Sequence, residues 1–279
     1  MKFYKMEGIG NDFILMHGLS DKEIQTVIAQ SVLLCDRKRG IGADGVILVL
    51  QSGLEDIDFR MRIFNADGSE AEMCGNGVRC FHRYVSDVGL TAKPQLAIET
   101  GAGIIRTEMR EKDVRVDMGT PTLDAGKIPT SKKRGQVIMR PLNAAGREFR
   151  VTAVSMGNPH AVIFTKVLPD DLIHDIGKAF QKHPFFPKQV NVEFVKVLSE
   201  KEVQIRVYER GCGETMGCGT GACAAVVAGI INNKLGSEIT AHLPGGDLFI
   251  EWDGNLAHSV YMTGPARIAF KGEWEPDKE

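Results

Sequence analysis

Two cysteines stand in matching contexts and could carry acid–base chemistry. Cys74 lies in the segment Met73-Cys74-Gly75-Asn76-Gly77, and Cys218 lies in Gly217-Cys218-Gly219-Thr220-Gly221. Each follows a strand-like pattern and precedes a helical one, which predicts a position at a helix N-terminus. Backbone N–H groups there lack intrahelical partners and the helix dipole is positive, so a thiol pKa is lowered and a carboxylate can bind. The sequence therefore predicts a thiolate beside an anion site, twice.

A pair of thiols suits the inversion of a stereocentre. One thiolate can remove a proton from one face of a carbon while the second, as a thiol, delivers a proton to the opposite face. The α-proton of an amino acid is weakly acidic, and helix N-termini aimed at its carboxylate can stabilise the developing charge. No pyridoxal-lysine motif stands out, and the six cysteines form no C-x2-C zinc pair. We therefore expect chemistry without a cofactor or a metal.

The two cysteines belong to an internal repeat. Residues 58–77 and 202–221 align without a gap at an offset of 144 residues, and residues 10–14 resemble residues 157–161 at an offset of 147. Two echoes at nearly the same offset indicate a duplicated domain. We place one lobe at residues 1–119 plus 265–279 and the other at 120–264.

The elements that must position the cysteines are similar in the two copies. Strands are predicted over Asp58–Phe64 and Glu202–Tyr208, and helices over Gly75–Val88 and Gly219–Ile231. The second helix is apolar on every side, which indicates burial all round. The sequence therefore predicts an α/β fold in which a mixed sheet curls around a central helix in each half.

Two further helices are predicted at the surface. Ser20 opens a capping box before a helix over Ile24–Leu34, and Pro169-Asp170-Asp171 opens another that runs toward Lys182. Gly40-Ile41-Gly42-Ala43-Asp44-Gly45 satisfies G-x-G-x-x-G, but it precedes a predicted strand, Val46–Leu50, instead of following one. A dinucleotide site is therefore not expected there.

Composition excludes several classes of protein. The chain has 34 basic and 36 acidic side chains among 279 residues, so it has no basic excess for binding nucleic acid. Its longest apolar run, Ala222–Ile231, is about ten residues short of a membrane span. The N-terminus lacks a signal-peptide pattern, so a cytoplasmic enzyme is expected. Cys35, Cys80 and Cys223 lie in apolar helical patterns and are interpreted as packing residues.

The motifs together resemble the diaminopimelate epimerase family. The resemblance runs from residue 3 to about residue 270 and keeps motif order and spacing. The segments that carry it are Gly10-Asn11-Asp12-Phe13, Gly40 to Gly45, Asn65 to Gly77, Gly157-Asn158-Pro159-His160, Asn191-Val192-Glu193-Phe194 and Tyr208 to Gly221. It implies conversion of LL- to meso-diaminopimelate for lysine and peptidoglycan synthesis, two pseudo-symmetric lobes and a homodimer.

The resemblance also implies roles for individual residues. Cys74 would deprotonate the LL isomer and Cys218 the meso isomer, with His160 and Glu209 adjusting their proton affinity. The N–H groups of Gly75, Asn76, Gly219 and Thr220 would hold the reacting carboxylate. The remaining substrate contacts would come from Asn11, Asn65, Asn158, Asn191, Glu209 and Arg210.

The chain departs from the family pattern at two informative positions. Gly45 stands where some members have a substrate-contacting Gln, and Phe270 stands where some have a Tyr at the dimer contact. Two other functions stay open on the residues alone. One is a proline racemase-like enzyme, although those tend to carry His where this chain has Asn76. The other is a thiol redox or metal-binding protein that uses Cys74 and Cys218.

Overall fold

The computed structural model describes residues 1–168 and 173–276. The chain folds into two compact units: Met1–Val116 with Thr263–Glu279, called unit 1, and Asp117–Met262, called unit 2. The helices are α1 (Asp21–Ala29), α2 (Ser31–Cys35), α3 (Gly75–Asp87), α4 (Ile173–Gln181) and α5 (Gly219–Ile231). The strands are β1 (Lys2–Gly8), β2 (Asn11–His17), β3 (Gly45–Leu50), β4 (Phe59–Asn65), β5 (Glu70–Ala71), β6 (Gln95–Thr100), β7 (Gly103–Arg110), β8 (Asp113–Asp117), β9 (Arg140–Ala144), β10 (Arg147–Ser155), β11 (Pro159–Phe164), β12 (Asn191–Ser199), β13 (Glu202–Glu209), β14 (Gly213–Thr215), β15 (Glu238–Leu243), β16 (Gly246–Glu251), β17 (Tyr261–Pro265) and β18 (Arg267–Glu273).

Unit 1 is a mixed sheet around α3. Its strands pair in the order β18-β1-β2-β3-β4-β6-β7-β8, and the β2–β3 and β4–β6 pairs are parallel while the others are antiparallel. The short strand β5 pairs with the end of β4. Helix α3 packs against β1, β2, β3, β7 and β18, so the sheet curls around it.

Unit 2 repeats this arrangement around α5. Its strands pair in the order β9-β10-β11-β12-β13-β15-β16, with β11–β12 and β13–β15 parallel and β14 paired to the end of β13. Helix α5 packs against β10, β11, β12, β13, β15 and β16. The strand order and directions match those of unit 1, which confirms the predicted fold of two similar α/β halves.

The C-terminal strand completes the match. In unit 2, β9 pairs antiparallel with β10 and comes just before it in the chain. In unit 1 the corresponding neighbour of β1 is β18, which comes from the C-terminus. The chain therefore leaves unit 1 after β8, builds unit 2, and returns through β17 to supply the last strand.

The two central helices bury different kinds of side chain. Every residue of α5 from Gly221 to Gly229 is buried, and all are Gly, Ala, Val or Cys. Helix α3 also buries two basic residues, Arg79 and His82, each with no exposed surface. The Arg79 guanidinium donates to the carbonyls of Gly75 and Pro265, which satisfies part of its donor set inside the unit.

The surface helices differ in part from the sequence prediction. The Ser20 capping box is confirmed, since Ser20 caps Glu23 and Glu23 bonds back to Ser20. The helix predicted over Ile24–Leu34 is instead two helices, α1 and α2, because Gln30 leaves the helical conformation. The predicted start of the other helix at Pro169-Asp170-Asp171 lies outside the described residues, and α4 is described from Ile173.

Within residues 1–168 and 173–276, no helix is long and apolar enough to span a membrane.

Candidate active site

Cys74 is the N-cap residue of α3, as the sequence predicted. Its backbone is extended, with φ −139° and ψ 121°, and the Gly77 N–H donates to its Sγ at 3.5 Å. The strand pair before it is held by Arg62, which forks onto the Glu70 carboxylate with N–O distances of 2.7 and 2.8 Å. The first backbone hydrogen bond of α3 runs from the Val78 N–H to the Cys74 carbonyl, so the N–H groups of Gly75, Asn76 and Gly77 precede the helical hydrogen-bond ladder.

Asn11 brings its amide against the Cys74 sulfur. Cys74 Sγ lies 3.6 Å from Asn11 Oδ1, and Asn76 Nδ2 donates to the same oxygen at 3.3 Å. The other end of the Asn11 amide donates to Asp44 Oδ2 at 2.7 Å. Because a carboxylate can only accept, Asp44 holds the Asn11 carbonyl toward Cys74. Three of the predicted unit 1 residues, Asn11, Cys74 and Asn76, are thus in one hydrogen-bonded group.

A network of charged side chains holds Asp44, the hydrogen-bond partner of Asn11, in place. Asp12 pairs with Lys5 at 2.5 Å and with Arg37 at 2.7 Å, and Arg37 also bonds Asp44 at 2.7 Å. Burial opposes ionisation of Asp12, but its hydrogen bonds to Arg37 and Lys5 outweigh that effect and hold its pKa well below the usual range. The Asp12 side chain is therefore a fixed anion.

Asn65 forms a separate group at the end of β4. It is exposed, and its Nδ2 donates to Ser69 Oγ at 3.0 Å. On the adjacent strand Gly45 pairs with Asn65, and Gly45 also pairs with Phe13 of β2. A Cβ at Gly45 would lie 2.8 Å from the Phe64 carbonyl oxygen, so the backbone here has no room for a side chain.

Cys218 is the N-cap residue of α5 and matches Cys74 in position. Its backbone is again extended, with φ −116° and ψ 112°, and its Sγ lies 3.5 Å from Thr220 Oγ1. The preceding strand pair is held by an equivalent fork from Arg206 to Glu214, at 2.7 and 3.0 Å. Cys218 is only 7% exposed.

The expectation of a lowered thiol pKa is wrong for Cys218. Burial raises its pKa well above the ordinary value, and the negative charge of Glu209 raises it further. The hydrogen bond with Thr220 acts in the opposite direction but is the smaller effect. Desolvation of the thiolate therefore outweighs the field of the helix N-terminus.

A chain of hydrogen bonds leads from Thr220 into the core of unit 2. Asn158 Nδ2 donates to Thr220 Oγ1 at 3.2 Å, and Asn158 Oδ1 lies 2.8 Å from His160 Nε2. His160 Nδ1 lies 2.6 Å from Glu193 Oε1, and both residues have no exposed surface. Burial raises the pKa of Glu193, while the neighbouring His160 opposes that shift. Sequence reasoning gave Glu193 no role.

The remaining predicted residues of unit 2 lie at the start of β12 and at or just after the end of β13. Asn191 Nδ2 donates to the Pro159 carbonyl, and Asn191 Oδ1 accepts from the backbone N–H of Arg210 at 2.8 Å. Glu209 Oε1 accepts from the Thr215 hydroxyl at 2.6 Å. The backbone contact leaves the exposed Arg210 guanidinium available to a ligand.

The four other cysteines differ in their burial. Cys35, Cys80 and Cys223 are buried, as predicted for packing residues, and Cys212 is exposed. Burial raises the pKa of Cys35 to about 11 and of Cys80 to about 12. In the part of the chain that the structure describes, no three His, Cys, Asp or Glu side chains are grouped as metal ligands.

The fold is shared with amino-acid epimerases of known structure. The chain superposes on a hydroxyproline epimerase from Agrobacterium vitis, solved with bound trans-4-hydroxy-L-proline, with a TM-score of 0.69. Sequence identity is 15%, and the match covers 98% of this chain and 91% of that one. This likeness defines the class of architecture: two similar α/β units, each built around a central helix.

The particular family follows from the sequence comparisons. The diaminopimelate epimerase family model matches residues 3–123 and 152–269. A diaminopimelate epimerase from Moorella thermoacetica is 47% identical over 282 residues, covering 99% of this chain and all of the relative. One from Carboxydothermus hydrogenoformans is 49% identical, covering 98% and 99%. The chain belongs to the diaminopimelate epimerase family.

Proposed function

We propose that this chain interconverts LL- and meso-diaminopimelate by moving protons through Cys74 and Cys218. Epimerisation of diaminopimelate is the activity of the family to which it belongs, so the chain is an isomerase of lysine biosynthesis. The observation that supports the two-thiol assignment is the repeat itself: each unit carries one cysteine as the N-cap of its central helix.

The reaction needs one base and one acid on opposite faces of the α-carbon. Cys74 as thiolate removes the α-proton of the LL isomer while the Cys218 thiol donates a proton to the other face, and the roles exchange for the meso isomer. A raised Cys218 pKa suits the acid role in the LL-to-meso direction, because the sulfur is then protonated when substrate arrives.

The developing negative charge is stabilised by helix N-termini. Backbone N–H groups at Gly75, Asn76, Gly219 and Thr220 bind the carboxylate attached to the reacting carbon. Their positions at the start of α3 and α5 support this assignment, since first-turn N–H groups point out of the helix.

Recognition of the distal end of the substrate falls to polar side chains. Arg210 forks onto the distal carboxylate, and Glu209 accepts from an ammonium group. Side-chain amides complete the contacts, from Asn11, Asn65, Asn158 and Asn191. His160 and Glu209 adjust the proton affinity of the cysteines; the effect of the Glu209 charge on the Cys218 pKa supports that role.

The assembly and location are part of the proposal. We assign a homodimer that uses β18, because Phe270 on this strand is 50% exposed and some family members carry a Tyr there. A cytoplasmic location fits the proposal, since two-base chemistry needs both sulfurs reduced. The product would serve lysine and peptidoglycan synthesis.

A racemase of another amino acid is the second candidate. The fold likeness to a hydroxyproline epimerase favours it, but Asn76 and the exposed Arg210 favour a long substrate with a second charged end. Proline and hydroxyproline should not be epimerised at rates near that of diaminopimelate. A preference for either imino acid would replace the proposed substrate and keep the two-thiol mechanism.

Single-cysteine variants test the mechanism. Cys74→Ala and Cys218→Ala should each lower epimerisation by at least about a thousandfold, because neither face alone can invert the centre. Circular dichroism verifies folding, and Cys80→Ala serves as the matched control, since it removes another thiol of α3 that is buried in the core. Normal turnover of either active-site variant in both directions would overturn the assignment and favour a thiol redox or metal-binding role.

A further inference from the structure

The pair formed by Glu193 and His160 is a deeply buried polar contact in unit 2. Both side chains are fully buried, and Nδ1 and Oε1 are 2.6 Å apart. Glu193 Oε2 has no hydrogen-bond partner among the described residues. A net charge at such a place is costly unless it is neutralised, so a pair that is neutral overall is strongly favoured.

The fold itself does not require a polar pair here. In unit 1, Ile47 pairs across the sheet with Ile63; in unit 2, Glu193 pairs with Val207. Ile63 and Val207 are equivalent in the repeat, so Glu193 occupies the position that an isoleucine fills in the other copy.

Two more equivalences support the comparison. His160 matches Phe13 in the repeat, so the second copy has a polar pair where the first has Phe and Ile. A Cβ at Gly221 would lie 2.9 Å from Glu193 Oε1, and a Cβ at the equivalent Gly77 would lie 3.1 Å from Ile47 Cδ1. Glu193 therefore faces the first turn of α5, one helical turn from Cys218.

The placement of the Asn158 amide indicates which ring nitrogen of His160 carries a proton. Asn158 presents its carbonyl Oδ1 to His160 Nε2 and its amide Nδ2 to Thr220 Oγ1. An acceptor opposite Nε2 requires a proton on Nε2. Nδ1 then either carries a second proton opposite an ionised Glu193 or accepts from a protonated Glu193. Both arrangements are neutral overall and contain the same number of protons.

We propose that Glu193 is a positioning residue that, through the protonated Nε2 of His160, fixes the Asn158 amide and so directs the Thr220 hydroxyl hydrogen at Cys218 Sγ. Asn158 Nδ2 occupies one lone pair of Thr220 Oγ1, which leaves the hydroxyl hydrogen free for the sulfur 3.5 Å away. That hydrogen bond stabilises the Cys218 thiolate each time the sulfur loses its proton. The catalytic meaning of this rests on the proposed function.

The opposite tautomer of His160 would reverse the direction of the hydrogen bonds from His160 to Thr220. With an unprotonated Nε2, the Asn158 amide would turn so that Nδ2 donates to His160 and Oδ1 faces Thr220. The Thr220 hydroxyl would then donate to Asn158, and the thiolate would lose its donor. The cost of one such hydrogen bond corresponds to about three- to tenfold in thiolate population.

The tautomer can be observed directly in the full chain. In protein labelled with ¹⁵N-histidine, long-range ¹H–¹⁵N NMR spectra distinguish protonated from bare ring nitrogens. The His160 signals are assigned by their absence from His160→Gln protein. We expect a protonated Nε2 at neutral pH; a bare Nε2 overturns the proposal. This readout needs no substrate and no turnover.

Thiol reactivity tests whether the effect reaches the sulfur. Iodoacetamide labelling of Cys218 is measured by mass spectrometry relative to Cys74 in the same molecule. Glu193→Met, similar in length but without a hydrogen bond, should lower the Cys218 rate about three- to tenfold. Glu193→Gln should keep it within about twofold, because its amide can donate to Nδ1. Ile47→Met, the equivalent site of unit 1, is the matched control and should leave the Cys218 to Cys74 ratio unchanged.

The outcomes separate cleanly. An unchanged Cys218 rate in folded Glu193→Met protein would overturn the relay. A large rise in Glu193→Gln would also overturn it, since it would mean that Glu193 acts on the thiol as a bare negative charge. If Glu193→Met does not fold, the NMR spectrum and Glu193→Gln still decide. Failure of wild-type protein to epimerise diaminopimelate would refute the proposed function and leave these results standing.

Discussion

The two cysteines differ at the scale of single residues, although their sequence contexts match. Cys74 is partly exposed and has an amide oxygen near its sulfur, whereas Cys218 is buried and has a hydroxyl near its sulfur. The repeat exchanges Asn76 for Thr220 and Ile47 for Glu193. Duplication therefore provided two similar helix starts, and later side-chain changes gave each sulfur its own hydrogen-bonding environment.

At position 45, the neighbouring backbone and not a substrate contact explains why the residue is glycine. A Gln side chain at this position needs a Cβ that would lie 2.8 Å from the Phe64 carbonyl oxygen. We predict that Gly45→Gln lowers the free energy of unfolding by about 1–3 kcal/mol through overpacking. Thermal or urea unfolding measures the change.

Gly53→Gln is the matched control for that substitution. Gly53 is exposed, and an added Cβ there meets nothing within 4 Å. Its unfolding midpoint should stay near that of the wild type. Equal stability of Gly45→Gln and wild type would show that β3 and β4 can separate enough to admit the side chain.

The candidate residues were predictable to different degrees. Cys74 and Cys218 stood out because two Gly-rich turns repeat in register, and both are helix N-caps. Glu193 was missed because one acid in the strand pattern Asn191–Phe194 gives no sign of facing inward. Aligning the two repeats by strand register places Glu193 opposite Ile47 and would have identified Glu193 as a polar residue at a core position. The raised pKa of Cys218 depends on burial, which sequence does not quantify.

At the scale of elements, α3 and α5 solve the same packing problem with different side chains. The all-round apolar pattern of α5 correctly predicted burial on every side, which holds from Gly221 to Gly229. Helix α3 has polar residues that sequence periodicity places off its apolar stripe, yet the sheet curls far enough to cover Arg79 and His82 as well. The break between α1 and α2 was not predictable, because Gln30 carries no helix-breaking signal.

His82 gives α3 a pH-dependent contribution to stability. Burial lowers its pKa to about 4, while its Nδ1 lies 2.7 Å from Thr107 Oγ1 of β7. The unfolded chain takes up a proton near the ordinary value of 6.5, and the folded protein does not. Stability is therefore full above about pH 6.5 and falls as the pH drops toward 4.

The size of that effect can be measured by urea unfolding. Between pH 7 and pH 5 the His82 contribution should fall by about 1–2 kcal/mol. His82→Gln should flatten the dependence on pH, whatever its effect at neutral pH. An unchanged slope in His82→Gln would mean that His82 can be protonated in the folded state.

At the scale of the whole molecule, the chain is one architecture used twice, and its C-terminal strand completes unit 1. Unit 1 takes its outermost strand, β18, from the C-terminus, whereas unit 2 takes the matching strand, β9, from the preceding segment. The duplication was predictable from the offset of 144 residues. Strand order was not, because pairing partners distant in sequence leave no local pattern.

The proposed homodimer makes its prediction at this scale. Phe270→Glu places a charge on the exposed face of β18 and should shift the protein from dimer to monomer in sedimentation experiments. Phe249→Glu, at a phenylalanine of β16 that is 39% exposed, is the matched control and should leave the dimer intact. A wild-type protein that sediments as a monomer would refute the assembly.

Hydrogen exchange at the substrate α-carbon tests the central claim most directly. LL-diaminopimelate is incubated with the wild-type protein in deuterated water, and early samples are analysed for stereochemistry and label. With two separate thiols, meso product should carry deuterium at the inverted carbon while recovered LL substrate stays nearly unlabelled. Label entering the LL substrate as fast as product forms would mean that one group serves both faces, which would contradict the account.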